Sequence, residues 1–148
     1  MPDFIFRGEI KGASELAGSF EQFSALLISE AKTAVQKGAI QIGDYARLHH
    51  PYKDRSGINT NSILPDPVFV YADSVECSSG PHTDYGKYLE LGTRHIGSHE
   101  VFGKFAAHLG GWRTRPYPYM APALEAMRPG IQSIFDGIVP RAKKKAGL

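Results

Sequence analysis

SFEQFSALLISEAKTAVQKGAIQIGDYARL, residues 19–48, is the stretch that decides the fold. Phe20, Phe23, Leu27, Ala31, Ala34, Val35, Ala39, Ile42 and Tyr45 recur at steps of mostly three and four residues, the period of one helix face. Ser19 and Gln22 have capping-box spacing, with Gly18 just outside. His49-His50-Pro51 closes the run, because the residue before a proline is disfavoured in the α region. The pattern therefore predicts a helix of roughly thirty residues, about 40–45 Å long, ending near Leu48. Gly38 and Gly43 weaken it by about 1 kcal/mol each relative to alanine, or mark close packing against another chain.

Before this helix, residues 3–10 (Asp-Phe-Ile-Phe-Arg-Gly-Glu-Ile) read as a short strand or extended arm with Phe4, Phe6 and Ile10 on one face, and Lys11-Gly12-Ala13 as a turn. After it, residues 51–66 have loop composition. Val68 to Cys77 is the best strand, rich in Val, Phe and Tyr. Ser78-Ser79-Gly80-Pro81 reads as a turn. Thr83 or Asp84 can cap a short helix carrying Tyr85, Tyr88, Leu89 and Leu91, which Gly92 is placed to stop in the left-handed conformation. Residues 94–114 look like an inserted Gly- and His-containing loop. Pro116 and Pro118 force extended backbone, and Pro122 suits the first turn of a final helix. That helix is expected to break at Pro129-Gly130 and resume through Ile131, Ile134, Phe135 and Ile138. Residues 141–148 are expected to fray as a basic tail. The order predicts an α+β domain over residues 1–148: a long N-terminal helix on a small, mostly antiparallel sheet, with a short middle helix and a C-terminal helix.

Composition narrows the function classes. The 148 residues, 42% hydrophobic and 22% charged, suit one packed domain. A lone cysteine, Cys77, forms neither an internal disulfide nor a zinc cluster and suits a reducing cytoplasm. The N-terminus carries no basic stretch followed by an apolar run, so no signal peptide is expected, and no apolar stretch reaches membrane-spanning length. A net charge of +2 is too small to imply nucleic-acid binding by itself.

Two blocks stand apart from generic globular sequence. Tyr85-Gly86-Lys87-Tyr88-Leu89-Glu90-Leu91-Gly92-Thr93 is followed by Arg115-Pro116-Tyr117-Pro118-Tyr119-Met120-Ala121-Pro122-Ala123-Leu124. Taken in this order, the chain resembles the neck and tail-completion protein family of long-tailed bacteriophages and prophages. The family pattern runs from a long helix through a proline and polar loop to "Y-x-x-Y-V-E-F-G-T" and then "R-P-F-L-R-P-A-L". The loop Asp54 to Ile63 looks like its second element. Tyr85, Tyr88, Leu89, Glu90, Gly92 and Thr93 match the third, and Pro118, Tyr119, Met120, Pro122, Ala123 and Leu124 the fourth. Tyr117 stands where the family has arginine, and Arg115 can replace it from two positions back. The stretch between the blocks is longer than usual. Pro65 and Pro67 interrupt a common second strand, so the sheet is small or completed by a neighbour.

The resemblance implies a virion structural protein with no catalytic residues and no cofactor or metal. It would form a ring, sixfold at the tail end, at the head–tail junction or the head-proximal end of the tail. Its partners would be the tail terminator, tail-tube and head-closure or connector proteins, with passing contact to DNA in the channel and no membrane. It would be made in the host cytoplasm. The tail terminator itself is the alternative within the same class. Physically, Glu90 can accept backbone hydrogen bonds or pair with Arg94 or Arg115, and Arg55, Phe102, Phe105 and Trp112 are the candidate interface residues. For Tyr85, Leu89, Gly92 and Leu124 service to the monomer fold is the favoured reading, and for the exposed loops an interface.

Other constellations are weaker. His95, His99, His108 and Glu100 suggest a small metal-dependent hydrolase as a lower-ranked alternative, but the spacing is not that of a zinc protease and no carboxylate completes a site. Cys77 has only His82 nearby in sequence and reads as a half-buried structural thiol. Ser78-Ser79-Gly80 lacks the nucleophile-elbow pattern. Leu109-Gly110-Gly111-Trp112 lacks the lysine of a phosphate loop. Arg141, Lys143, Lys144 and Lys145 read as a solvated end or a salt-sensitive phosphate contact.

Overall fold

A computed structural model describes residues 13–96, 99–102 and 115–148, and the side chains of 17–93 and 115–148. Residues 1–12 lie outside, so the expected N-terminal arm is not described.

The molecule is α+β. Its long helix, α1, spans Ala13–Leu48, ending where Pro51 predicts but starting six residues before Ser19. Ala13, Glu15, Leu16 and Ala17 are strong helix formers, so they carry the helix through Gly18, and Ser19 lies inside it. Residues 51–66 are not a plain loop. They hold a one-turn helix, α2 (Ile58–Asn61), and a strand, β1 (Ile63–Pro65). The expected strand over Val68–Cys77 is a tight hairpin of β2 (Phe69–Val70) and β3 (Val75–Glu76), closed by a Tyr71 N–H donated to Ser74 O at 2.8 Å. The expected turn at 78–81 is β4 (Ser79–Pro81), antiparallel to β1. Alternating polarity did not reveal these reversals because Ala72-Asp73-Ser74 is short and neither glycine nor proline marks it.

β1–β4 and β2–β3 form two ladders between the same pair of chain stretches. Ile63 faces Pro81 and Pro65 faces Ser79; further along, Phe69 faces Glu76 and Val70 faces Val75. Between the ladders the first stretch takes one residue more than the second, a bulge that accommodates Pro65 and Pro67. The ribbon lies on α1, where Gly43 sits under Ile63 and Ser79. A Cβ at Gly43 would meet Ser79 Oγ at 2.9 Å, and one at Gly38 would touch Ile131 at 3.5 Å. The two glycines therefore serve close packing within this chain.

Next come α3 (Gly86–Leu91) and a hairpin of β5 (Thr93–Ile96) and β6 (His99–Phe102). The first part of the expected 94–114 loop is thus regular structure, and 103–114 lie outside the described residues. Helix α4 (Met120–Asp136) begins with Pro122 in its first turn, as expected, but runs through Pro129-Gly130 and stops at Gly137. Pro129 removes the bond to the Glu125 carbonyl, yet both residues are exposed, so water can satisfy it. Ile131 over Gly38 holds the following turns down. Helix α5 (Ile138–Ala146) then packs along α1, with Ala142 fully buried. The end of the chain is therefore a docked helix and not a frayed tail. The core is Ala46, Tyr52, Ile63, Tyr119 and Ala123, flanked by Ile42, Tyr45, Leu89 and Met120.

Candidate functional site

The two sequence blocks meet. Glu90, near the end of α3, points at the start of α4. Its Oε2 accepts from the Tyr119 and Met120 N–H groups at 2.7 and 3.0 Å, and its Oε1 from the Ala121 N–H at 3.0 Å. The first N–H groups of a helix have no partner within it and carry the positive end of its dipole, so a carboxylate there is doubly favoured. Tyr119 supplies no side-chain cap of its own; the cap comes from the other block. Of the two alternatives for Glu90, it accepts backbone hydrogen bonds. Alongside, the Tyr117 N–H donates to Leu89 O at 2.6 Å, and the Tyr119 hydroxyl donates to Gly86 O at 3.3 Å.

Tyr119 is the hub of a buried polar cluster. Asn59, 2% exposed, donates to the Tyr52 and Tyr119 hydroxyls at 2.7 and 3.3 Å and accepts from Thr83 Oγ1 at 2.6 Å. The Tyr52 and Tyr119 rings meet edge-on, centroids 5.1 Å apart. Burial pushes the Tyr119 hydroxyl up to about 12, so it stays protonated and available as a donor. Asn59 was not singled out in sequence; its place in a polar loop gave no sign of burial.

Gly92 ends α3 with φ 68° and ψ 161°. The positive φ is as expected, but the conformation is an extended one that only glycine adopts readily, and not the left-handed helical one. It sends the chain into β5 with Thr93 buried. Tyr85, Leu91 and Leu124 stay 41–46% exposed, and Tyr88 is half-buried. Arg115, Pro118 and Pro122 lie on the surface.

Among the proposed interface residues, Arg55 is exposed on a loop organised by Asp54. The Asp54 carboxylate accepts from the Gly57 and Thr60 N–H groups at 2.8 and 3.0 Å and from the Thr60 hydroxyl, which holds it below the ordinary carboxylate range. Phe102 ends β6, and Phe105 and Trp112 lie outside the described residues. His95 faces Glu100 and Ile96 faces His99 across β5–β6, while His108 is outside. Among the described residues no group of three His, Cys, Asp or Glu could hold a metal ion, and no helix is long and apolar enough to cross a membrane.

Cys77 and His82 do not form a nucleophile pair. His82 Nδ1 lies 2.9 Å from Ser62 O and Nε2 3.0 Å from Asp66 Oδ1. Both partners are acceptors, the backbone one contributing most, and they raise the imidazole above its usual range and favour the imidazolium, which is no base. Burial pushes the Cys77 thiol up, and its Sγ contacts Asp66 O at 3.2 Å. The basic tail is also partly engaged. Arg141 Nε and Lys145 Nζ bind Glu30, only 6% exposed, at 2.8 and 2.5 Å, leaving Lys143 and Lys144 on the surface.

Beside the α4 start lies an open apolar cleft of about 610 Å³ between α1, α4 and residues 75–79, lined by Ala39, Ile42, Val75, Leu124, Ile131 and Phe135. A second cleft of about 460 Å³ continues along α1 under the β2–β3 hairpin. Leu124 at the first and Val70 and Tyr71 at the second are 43–54% exposed. Comparison with protein-family models, curated proteins and solved structures finds no match to this chain.

Proposed function

We propose that this protein is a structural assembly component of a tailed-phage particle. It would act as a ring subunit at the head–tail junction or the head-proximal end of the tail, joining head-closure and tail proteins. The observation that carries this reading is the Glu90 cap. The glutamate of the first block caps the helix that the second block opens, so the two blocks, far apart in sequence, form one physical unit. The ordered pair is then a fold-defining signature, which lends weight to the family resemblance built on it.

The surface is of a kind that suits assembly. Contiguous exposed apolar area on a small chain marks a binding surface, and a heterologous contact that closes on itself yields a ring. Arg55 on its Asp54-braced loop and the exposed edge of the ribbon are the neighbour-facing elements. Exposed Lys143 and Lys144 supply the passing contact to channel DNA.

Electron microscopy of particles made with this gene deleted tests the proposal. Separated filled heads and tails, or tails of abnormal length, are the expected result. Joined, normal and infectious particles would overturn it.

A further inference from the structure

We propose that His82 is a proton-operated latch: charged, its ring ties the root of the β2–β3 hairpin to the rest of the ribbon, and neutral, it lets the hairpin loosen over α1. This goes beyond the assembly role and does not rest on it. The ring spans two points on one strand. Ser62 precedes β1 and Asp66 follows it, and His82 Nδ1 and Nε2 lie 2.9 and 3.0 Å from Ser62 O and Asp66 Oδ1. The His82 N–H also donates to Ser62 O at 3.1 Å, so the ring's own contribution is to carry that anchor across to Asp66. Asp66 opens the bulge between the two ladders. Its N–H donates to Ser78 O at 2.9 Å, and its carbonyl accepts from the Cys77 thiol at 3.2 Å. Pro67 follows and has no N–H to add. Beyond it the hairpin has two residue pairs, Phe69–Glu76 and Val70–Val75, too few to hold themselves. Beneath it a cleft of about 460 Å³ separates Val70 and Tyr71 from Leu27, Ile28 and Ala31 of α1. The hairpin therefore leans on its root.

A carbonyl and an ionised carboxylate only accept, so both ring nitrogens donate only in the imidazolium. A neutral ring has one N–H and one lone pair. With the proton on Nδ1, the Nε2 lone pair faces the Asp66 carboxylate; with the proton on Nε2, the Nδ1 lone pair faces the Ser62 carbonyl. Either tautomer puts a repulsion where an attraction stood and breaks the span from Ser62 to Asp66. The surrounding groups reinforce the charged form. Asp66 is the charge that faces the ring, and Gly80 of β4 adds a backbone acceptor. Cys77, on the other side of Asp66, stays a neutral thiol, because burial and then the Asp66 charge push it up. Ser62 first and Asp66 second raise the imidazole above its ordinary value. The tie is thus complete below that value and is lost as pH rises through the higher folded one.

Hydrogen exchange of the hairpin amides on the full chain tests this, read by NMR from about pH 6 to about pH 9 and corrected for the intrinsic rise of exchange with pH. Protection of the Tyr71 N–H, which donates to Ser74 O, should fall roughly two- to fivefold, the scale of one exposed ion pair. The fall should share its midpoint with the titration of the His82 ring, while amides in the middle of α1 keep their protection. In Asp66→Asn the carboxamide offers its oxygen to a charged ring or its NH₂ to a neutral one, so protection should stay high across the range. In His82→Gln it should not depend on pH. Protection that is constant in the unmodified chain, that falls at a midpoint other than that of His82, or that falls equally in either variant would overturn the proposal.

Discussion

The two flanks of the α4 start are built on opposite principles. On one, Glu90, Tyr119, Asn59, Thr83 and Tyr52 interlock through directional hydrogen bonds, and little is left for a partner to add. On the other, Leu124, Ile131, Phe135 and the β2–β3 hairpin offer apolar surface with open space beside it. The first flank gives the fold its geometry; the second leaves apolar side chains facing water.

The largest expected effect tests the closed flank. Glu90→Ala should destabilise the protein by about 2–4 kcal/mol in urea unfolding, since three backbone donors lose a charged acceptor. Glu90→Gln, which keeps one acceptor oxygen, should recover part of that. Equal losses for the two would show that charge, and not hydrogen bonding, makes the cap. Gly92→Ala should cost about 1–3 kcal/mol, because alanine strains at that φ and ψ; a neutral result would mean that the α3–β5 junction is soft. Tyr119→Phe removes only a hydroxyl and should cost about 1 kcal/mol.

On the open flank, Leu124→Ser should change monomer stability by less than about 1 kcal/mol, as the side chain is already half in water, yet it should sharply reduce incorporation into particles. A large stability loss with normal incorporation would erase the contrast between the flanks. The smallest effect concerns His82. Its folded-state pKa is raised, so its contribution is complete below the ordinary histidine value and fades as pH rises through the higher folded value. His82→Gln should flatten the Tm change across neutral pH. Glu30 runs the other way. Held low first by Lys145 and then by Arg141, it contributes above the ordinary carboxylate value and loses that on acidification through its lower folded value.

Much of the fold was legible because it rests on strong local signals. The three- and four-residue period set α1, Pro51 set its end, and Pro122 set the start of α4. The misreadings share a cause: tertiary contacts overrode local punctuation. Ile131 on Gly38 carried α4 through Pro129, and pairing with β1 turned the Ser79-Gly80-Pro81 turn signal into a strand. At the site, a free carboxylate beside a helical block made the Glu90 role readable. Asn59 was not, since burial of an asparagine in a polar stretch depends on Tyr119 arriving from 60 residues further along the chain.

The Glu30 pair carries a consequence for how the chain is made. The carboxylate is laid down in α1, and its two cations follow 111 and 115 residues later. Until they emerge, Glu30 lacks both of its cations and α1 lacks the helix that packs along it. A chain ending before Arg141 should therefore lose both ion pairs and the cover of α5 at once, and its urea unfolding midpoint should fall below that of the full chain.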